Sequence, residues 1–308
     1  MRFSGLCSAI VLLMLSGLAQ AEQSGWALFD KVQTAVRQYN FDTSFVVLKG
    51  GKADTYRWIH GRSGDNEIEH LIPLDTNGVD ILRRDAQVYY LLTDRPAFVT
   101  EASSIAELPA LLFEAKDNVS KLYNAVAGSS SVMSGRSAQL LRLTAKDSGR
   151  YHYWLWLDDE TGFPLRIDTL SEQQNALERW LVTHMQITAE FPDNLNALMA
   201  AELPPAASAV AAATPQSSHQ LNWMPQGYQQ VSNPADIPQL GGSLLSYWLL
   251  SDGLHQVSVF VQNAQRMPTQ AYRDGATTIY VETQNQLEIT VIGPVSIDTA
   301  RQLAGAVR

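Results

Sequence analysis

The sequence predicts an α+β protein in two parts: a large antiparallel sheet with two or three helices covering one face, then a smaller α+β domain with an antiparallel sheet of its own. Three observations predict it. Short apolar runs alternate with Gly-, Asn- and Asp-rich turns over residues 40–187, the pattern of sequential antiparallel strands. Residues 201–219, AELPPAASAVAAATPQSSH, hold no aromatic residue and almost no charge, and so read as a linker. Beyond it, Val257, Val259 and Val261 alternate as in a half-buried strand.

The first segment is not part of this fold. Arg2 precedes an apolar run centred on residues 10–15, and Ala19-Gln20-Ala21 is a small-x-small cleavage site, so residues 1–21 read as a secretory signal peptide. Residues 22–200 then form the large domain, 201–219 the linker and 220–308 the small domain. Trp26, Phe29, Val32, Val36 and Tyr39 recur at helical spacing. Strands follow at 45–48 and 55–60, joined by the Lys49-Gly50-Gly51-Lys52 turn, whose glycines accept positive φ. Further strands are expected at 67–74, 79–83, 88–92, 140–144, 151–157, 165–170 and 177–187, with helices at 103–113 and 119–127. In the small domain strands are expected at 244–250, 255–262, 276–282 and 287–293. Ser296 is placed to cap a closing helix with Ile297, Ala300, Leu303 and Val307 on one stripe.

Charge and cysteine content narrow the function classes. Cys7 is the single cysteine and lies in the leader, so the mature chain has no disulfide and no thiol chemistry. Losing Arg2 leaves 21 basic against 31 acidic residues, a net charge of −10. That argues against nucleic acid and against unspecific adhesion to an anionic membrane.

Residues 151–157, YHYWLWL, are apolar on both strand faces: His152, Trp154 and Trp156 on one, Tyr151, Tyr153, Leu155 and Leu157 on the other. A sheet with one wet face alternates cleanly instead. Either both faces are covered by other elements, or one face lines a cavity for an apolar ligand. The acidic triplet Asp158-Asp159-Glu160, followed by Thr161-Gly162, reads as a turn rather than a metal site.

Trp156-Leu157-Asp158 with Thr161-Gly162, leading into an apolar-Arg strand, resembles the sheet of the periplasmic lipoprotein carriers LolA and LolB. A broader set of residues resembles the RseB/MucB family of sigma-E regulatory proteins over nearly the whole mature chain. It includes Tyr39-Asn40-Phe41, Tyr56-Arg57-Trp58-Ile59-His60, Ile81-Leu82-Arg83-Arg84, Arg150-Tyr151-His152-Tyr153 and Leu165-Arg166-Ile167-Asp168 in the large domain. Leu203-Pro204-Pro205 follows in the linker. Trp223-x-Pro225-x-Gly227-Tyr228, Ser251-Asp252-Gly253-Leu254 and residues 288–293 carry it through the small domain. The chain departs from the family pattern after Leu74-Asp75, where Thr76-Asn77-Gly78 stands in place of a Gly or Ser with Pro.

The resemblance implies a periplasmic negative regulator of the envelope stress response. Its large domain would be an unclosed antiparallel β-barrel with helices in the concavity, binding lipid A, lipopolysaccharide or lipoprotein acyl chains. Its small domain would grip the periplasmic segment of a membrane-bound anti-sigma factor, shield it from site-1 proteolysis and release it when lipid binds. A homodimer is implied by the resemblance alone. Phe45, Trp58, Tyr90, Trp154 and Trp156 are the candidates for the lipid-facing wall; Trp223, Tyr228 and Tyr247 are the candidates for partner binding. For each, burial in a core is the competing reading.

No HExxH, GxSxG, SxxK or phosphate-binding loop is present, and the six histidines show no ligand spacing. The expectation is therefore no catalysis, no metal and no cofactor. A lipid or lipoprotein carrier is the alternative, although a carrier does not need the second domain.

Overall fold

The computed structural model describes residues 24–75, 78–92, 97–203, 219–231, 244–264 and 268–308. The predicted leader and most of the predicted linker lie outside these residues. Among the described residues no helix is long and apolar enough to cross a membrane.

Helix α1 (24–38) buries Phe29, Val32, Ala35 and Val36 completely, so the helical stripe read from the sequence is its core face. Eleven strands follow: β1 (Asn40–Lys49), β2 (Lys52–Ser63), β3 (Asn66–Pro73), β4 (Asp80–Arg84), β5 (Gln87–Leu91), β6 (Phe98–Glu101), β7 (Tyr123–Met133), β8 (Arg136–Ala145), β9 (His152–Asp158), β10 (Pro164–Leu170) and β11 (Ala176–Thr188). They form one antiparallel sheet in the order β6-β5-β4-β3-β2-β1-β11-β10-β9-β8-β7. The end strands β6 and β7 do not pair, so the predicted unclosed sheet is what forms. The β1–β2 turn uses Gly50 and Gly51 at φ +54 and +77, as their sequence signature requires.

Helix α1 lies against one face of this sheet. Its Gln33 and Arg37 side chains donate to the carbonyls of Glu114 and Phe113, fastening segment 110–114 over the same face. Phe41, Trp58 and Phe163 meet there, with Phe41 ring centroids 4.7 and 4.8 Å from the other two.

The opposite face is also covered, which accounts for the two-sided apolar strands. Helix α3 (Asp193–Ala200) puts Leu195 onto Ile59, Ile68, Leu82 and Tyr89. The helix and the Phe191 that precedes it approach so closely at Gly61 that a Cβ there would come within 2.7 Å of Phe191 and 2.9 Å of Leu195. Farther along, Trp156 packs with Ala138 and Leu165, flanked by Met133, Leu140, Trp154 and Met185. Arg166 lies 4.2 Å over the Trp156 ring and shares Asp168 with Arg179. Burial opposes the charge on Asp168, but the two guanidiniums outweigh it and hold its carboxyl below the usual range.

Two predicted helices are corrected. Of 103–113, only a single 3-10 turn forms, at Ala110–Leu112, because Pro109 inside the predicted run has no amide to donate to the Ile105 carbonyl and its ring clashes with that turn. Of 119–127, α2 (Lys116–Leu122) stops at Leu122 and Tyr123 opens β7. The apolar residues Val119, Leu122, Tyr123 and Val126 mimic helical spacing across that junction. Strand β6 and helix α3 have no counterpart in the sequence reading.

The small domain is a six-stranded antiparallel sheet in the order β12-β13-β14-β17-β16-β15. Its strands are β12 (Gln229–Gln230), β13 (Leu244–Ser251), β14 (Gln256–Asn263), β15 (Gln270–Asp274), β16 (Thr277–Gln284) and β17 (Leu287–Gly293). Helix α4 (Ile297–Gly305) covers one face through Ala300, Leu303 and Ala304. Ser296 caps it by accepting the Thr299 amide at 3.1 Å, as the sequence predicts. Strands β12 and β15, both at sheet edges, are additions to the predicted set.

Candidate functional site

The inward face of β1 carries Phe41, Thr43, Phe45 and Val47 in alternation. Phe41 packs in the cluster that holds the α1 residues, and the Thr43 hydroxyl donates to the His184 carbonyl at 2.7 Å. The last two run beyond them, and there the sheet leaves a cavity of about 340 Å³. Phe45, Val47, Tyr56, Leu71, Ile167 and Trp180 form its apolar wall, with segment 106–111 along one side. Phe45 stacks between Tyr56, at 5.4 Å, and Trp180, at 4.6 Å. Lys49, Glu107 and Glu178 are polar lining residues. Burial pushes the Glu178 carboxyl above its usual range, against the pull of Lys49. It likewise raises the Tyr56 phenol.

The small domain completes this cavity. Leu254 and His255, from the β13–β14 turn, line it together with Ala276, Thr277 and Pro294. Leu254 is buried in the large domain's apolar cluster rather than in its own. The Tyr153 hydroxyl meets His255 Nε2 at 2.5 Å, with the rings parallel. Burial raises the Tyr153 phenol far above its usual range, so it keeps its proton and can donate to the imidazole.

Beside it, Arg150 Nε donates to Asp252 Oδ2 at 3.0 Å, and the same guanidinium reaches Asp147 and the Gln226 carbonyl. Its Cζ also lies 5.3 Å over the Tyr228 ring. Burial works against the Asp252 charge, but His255 and the backbone amides of His255 and Leu254 outweigh it and bring the carboxyl down to about 2. Tyr151 donates across the same junction to the Val295 carbonyl at 2.6 Å.

A second cleft of about 430 Å³ opens where the domains meet near Arg150. Trp223, Pro225 and Tyr228 line it beside Asp147, Glu172, Asp298 and Thr299.

The candidates read from the sequence separate accordingly. Phe45 lines the cavity. Trp58 faces the same side but is fully enclosed by Phe41, Phe113 and Phe163. Tyr90 packs on that side too, against Phe98 at 4.4 Å, and does not line the cavity. Trp154 and Trp156 lie on the outer face, so the structure does not bring them to the same wall. Trp223 is 39% exposed at the second cleft, Tyr228 is buried, and Tyr247 packs against Phe260 at 5.0 Å.

The acidic triplet at 158–160 is a turn in which Asp158 accepts from Thr161 and Arg136. Among the described residues one group has metal-ligand geometry: His60, Glu67 and Glu69, with ligand atoms within 4.8 Å of one another. Arg83 already occupies that space, 2.6 Å from both Glu67 and Glu69, so the group reads as a buried ion-pair network.

Two family models match this chain end to end. The MucB/RseB N-terminal domain covers residues 24–207, and the MucB/RseB C-terminal domain covers 213–308. The chain belongs to the MucB/RseB family. Among its MucB/RseB relatives, the sigma-E factor regulatory protein RseB of Salmonella typhimurium is 26% identical over 96% of this chain and 94% of its own. RseB of Haemophilus influenzae is 29% identical over 96% and 95%. The sigma factor AlgU regulatory protein MucB of Pseudomonas aeruginosa is 26% identical over 96% and 94%. A complex structure of Pseudomonas aeruginosa MucA/MucB aligns with a TM-score of 0.69 at 22% identity, over 92% of this chain and 98% of that one. A crystal structure of MucB in complex with MucA(peri) aligns at 0.68.

Arg150, Asp252, Leu254 and His255 are the junction residues that the sequence reading did not single out as a site. Arg150, Asp252 and Leu254 enter there only within resembling motifs. No spacing rule links Tyr153 to His255, which are 102 positions apart.

Proposed function

We propose that this protein is a periplasmic regulator of a sigma-E-type envelope stress response. It holds the periplasmic segment of a membrane-bound anti-sigma factor and shields it from site-1 proteolysis. It lets go when an acyl chain, as in lipid A or a misplaced lipoprotein, occupies the large domain. No catalytic step belongs to this role.

The observation that carries the reading is the shared cavity. Its apolar wall belongs to one domain and its closure to the other, so a ligand inside it bears on the domain arrangement. The names of the family relatives and the MucB structure with MucA(peri) support a regulatory partner of this class. Of the three partner-binding candidates, Trp223 is the one with a large exposed surface.

The test is a titration of the chain from Glu22 onward with the periplasmic segment of its own organism's anti-sigma factor, with and without a lipid A fragment. Tight binding that the lipid weakens is expected, and the two ligands must weaken each other by the same factor. Lipid binding without segment binding would instead favour the carrier reading.

A further inference from the structure

We propose that the Ser251–His255 turn is a displaceable stopper: docked, it closes one side of the cavity in the large domain, and an acyl chain that fills the cavity drives it out. The proposal rests on the acyl-ligand reading above and names how that site is regulated.

The turn is preformed. Asp252 Oδ1 accepts the amides of Leu254 and His255 at 2.9 and 2.7 Å, and Ser251 Oγ accepts the Gly253 amide at 3.0 Å. Gly253 sits at φ +91, a conformation that glycine adopts without strain. The tip this shape presents is Leu254. Among the described residues it is the one from beyond the linker in the large domain's buried apolar cluster, and it is 6% exposed. A side chain buried in the wrong domain's core is held there by what surrounds it, and so competes with any other apolar group for that space.

The anchorage is polar and lies beside the cavity. The second oxygen of the same carboxylate, Asp252 Oδ2, holds Arg150 of the large domain. Asp252 therefore shapes the tip and fastens it, yet does not line the cavity. With the turn docked, the cavity is near the small end of ligand pockets, which run from about 300 to 1,000 Å³. A larger apolar ligand needs the space that Leu254 fills. Linkage then requires that whatever loosens the turn tightens the ligand.

The probe is dodecanoate, added to the chain from Glu22 onward and followed by calorimetry and by amide hydrogen exchange. The expected result is slower exchange in β1 and β11 and faster exchange at 252–255. Asp252→Ala should bind dodecanoate about fivefold tighter than the parent chain, and Leu254→Ala should shift it in the same direction; near-ultraviolet dichroism checks that both variants fold. Protected walls with an unchanged or slowed turn would overturn the stopper while leaving the acyl-ligand reading intact, as would unchanged or weaker binding by both variants. Absence of wall protection in the parent chain would sink both.

Discussion

The two ends of the sheet's inner face are built from the same residue types and end differently. At one end Phe41, Trp58 and Phe163 are packed by α1 and by Phe113, with every ring against another. At the other, Phe45 is flanked by Tyr56 and Trp180, but among the described residues the cover is segment 106–111 and the turn from the small domain, and a gap persists as the cavity. The difference lies in cover rather than in the wall. An aromatic wall under α1 is core, and the same wall beyond α1 borders a cavity, lined here by a turn from another domain.

The largest test of that contrast is Trp58→Ala. Its side chain is completely buried in the packed end, so the loss should be about 3–5 kcal/mol by urea denaturation. A loss below about 1 kcal/mol would mean that this end is not the packed one. Phe45→Ala should cost less, about 3 kcal/mol, because its buried ring is smaller than the Trp58 indole. The same measurement on both variants gives the difference directly.

A third comparison sets the junction against the packed end by pH. The Asp252 carboxyl falls from an ordinary 3.8 to about 2 in the folded chain. Its stabilisation is therefore present above about pH 4 and is lost as the pH falls towards 2, amounting to about 2 kcal/mol. Glu67, near the packed end, is also depressed to about 2: burial opposes its charge, but His60 and Arg83 prevail. Asp252→Asn isolates the junction's share. The variant should lose less stability between pH 4 and 2 than the parent chain, and identical curves would remove Asp252 from the account. The smallest effect belongs to Gly253→Ala. A Cβ there meets nothing closer than 3.8 Å, so only the backbone conformation is penalised, by about 1 kcal/mol. That loss should appear at the domain junction and leave hydrogen exchange in α1 unchanged.

Much of the fold was legible where local chemistry decides it. Gly50-Gly51 and Asp158 to Gly162 sit at turns because positive φ and short polar side chains are needed there. Ser296 caps α4 because its hydroxyl is in reach of a free amide. Failures came where tertiary cover overrides pattern. Residues 119–127 satisfy helical spacing, yet from Tyr123 on the chain is committed to pairing with β8. The apolar runs of the large sheet were legible as two-sided, but not which side was hollow, because that depends on where α1 stops. Phe45 and Trp156 were equivalent in sequence, and the sheet sends them to opposite faces. The Arg150–Asp252 pair lay beyond any local rule, since it joins residues 102 positions apart.

A closed barrel has its radius fixed by strand number and stagger. The eleven-stranded sheet here ends in β6 and β7, which pair with β5 and β8 but not with each other, so no such condition fixes its curvature. Its radius is a soft coordinate, and bringing the edges together or letting them spread breaks no ladder between strands. The hollow under β1 and β11 inherits that compliance. On the proposed reading, such a site would gauge the bulk of its occupant rather than check its outline, as a detector of a class of molecules instead of one must do.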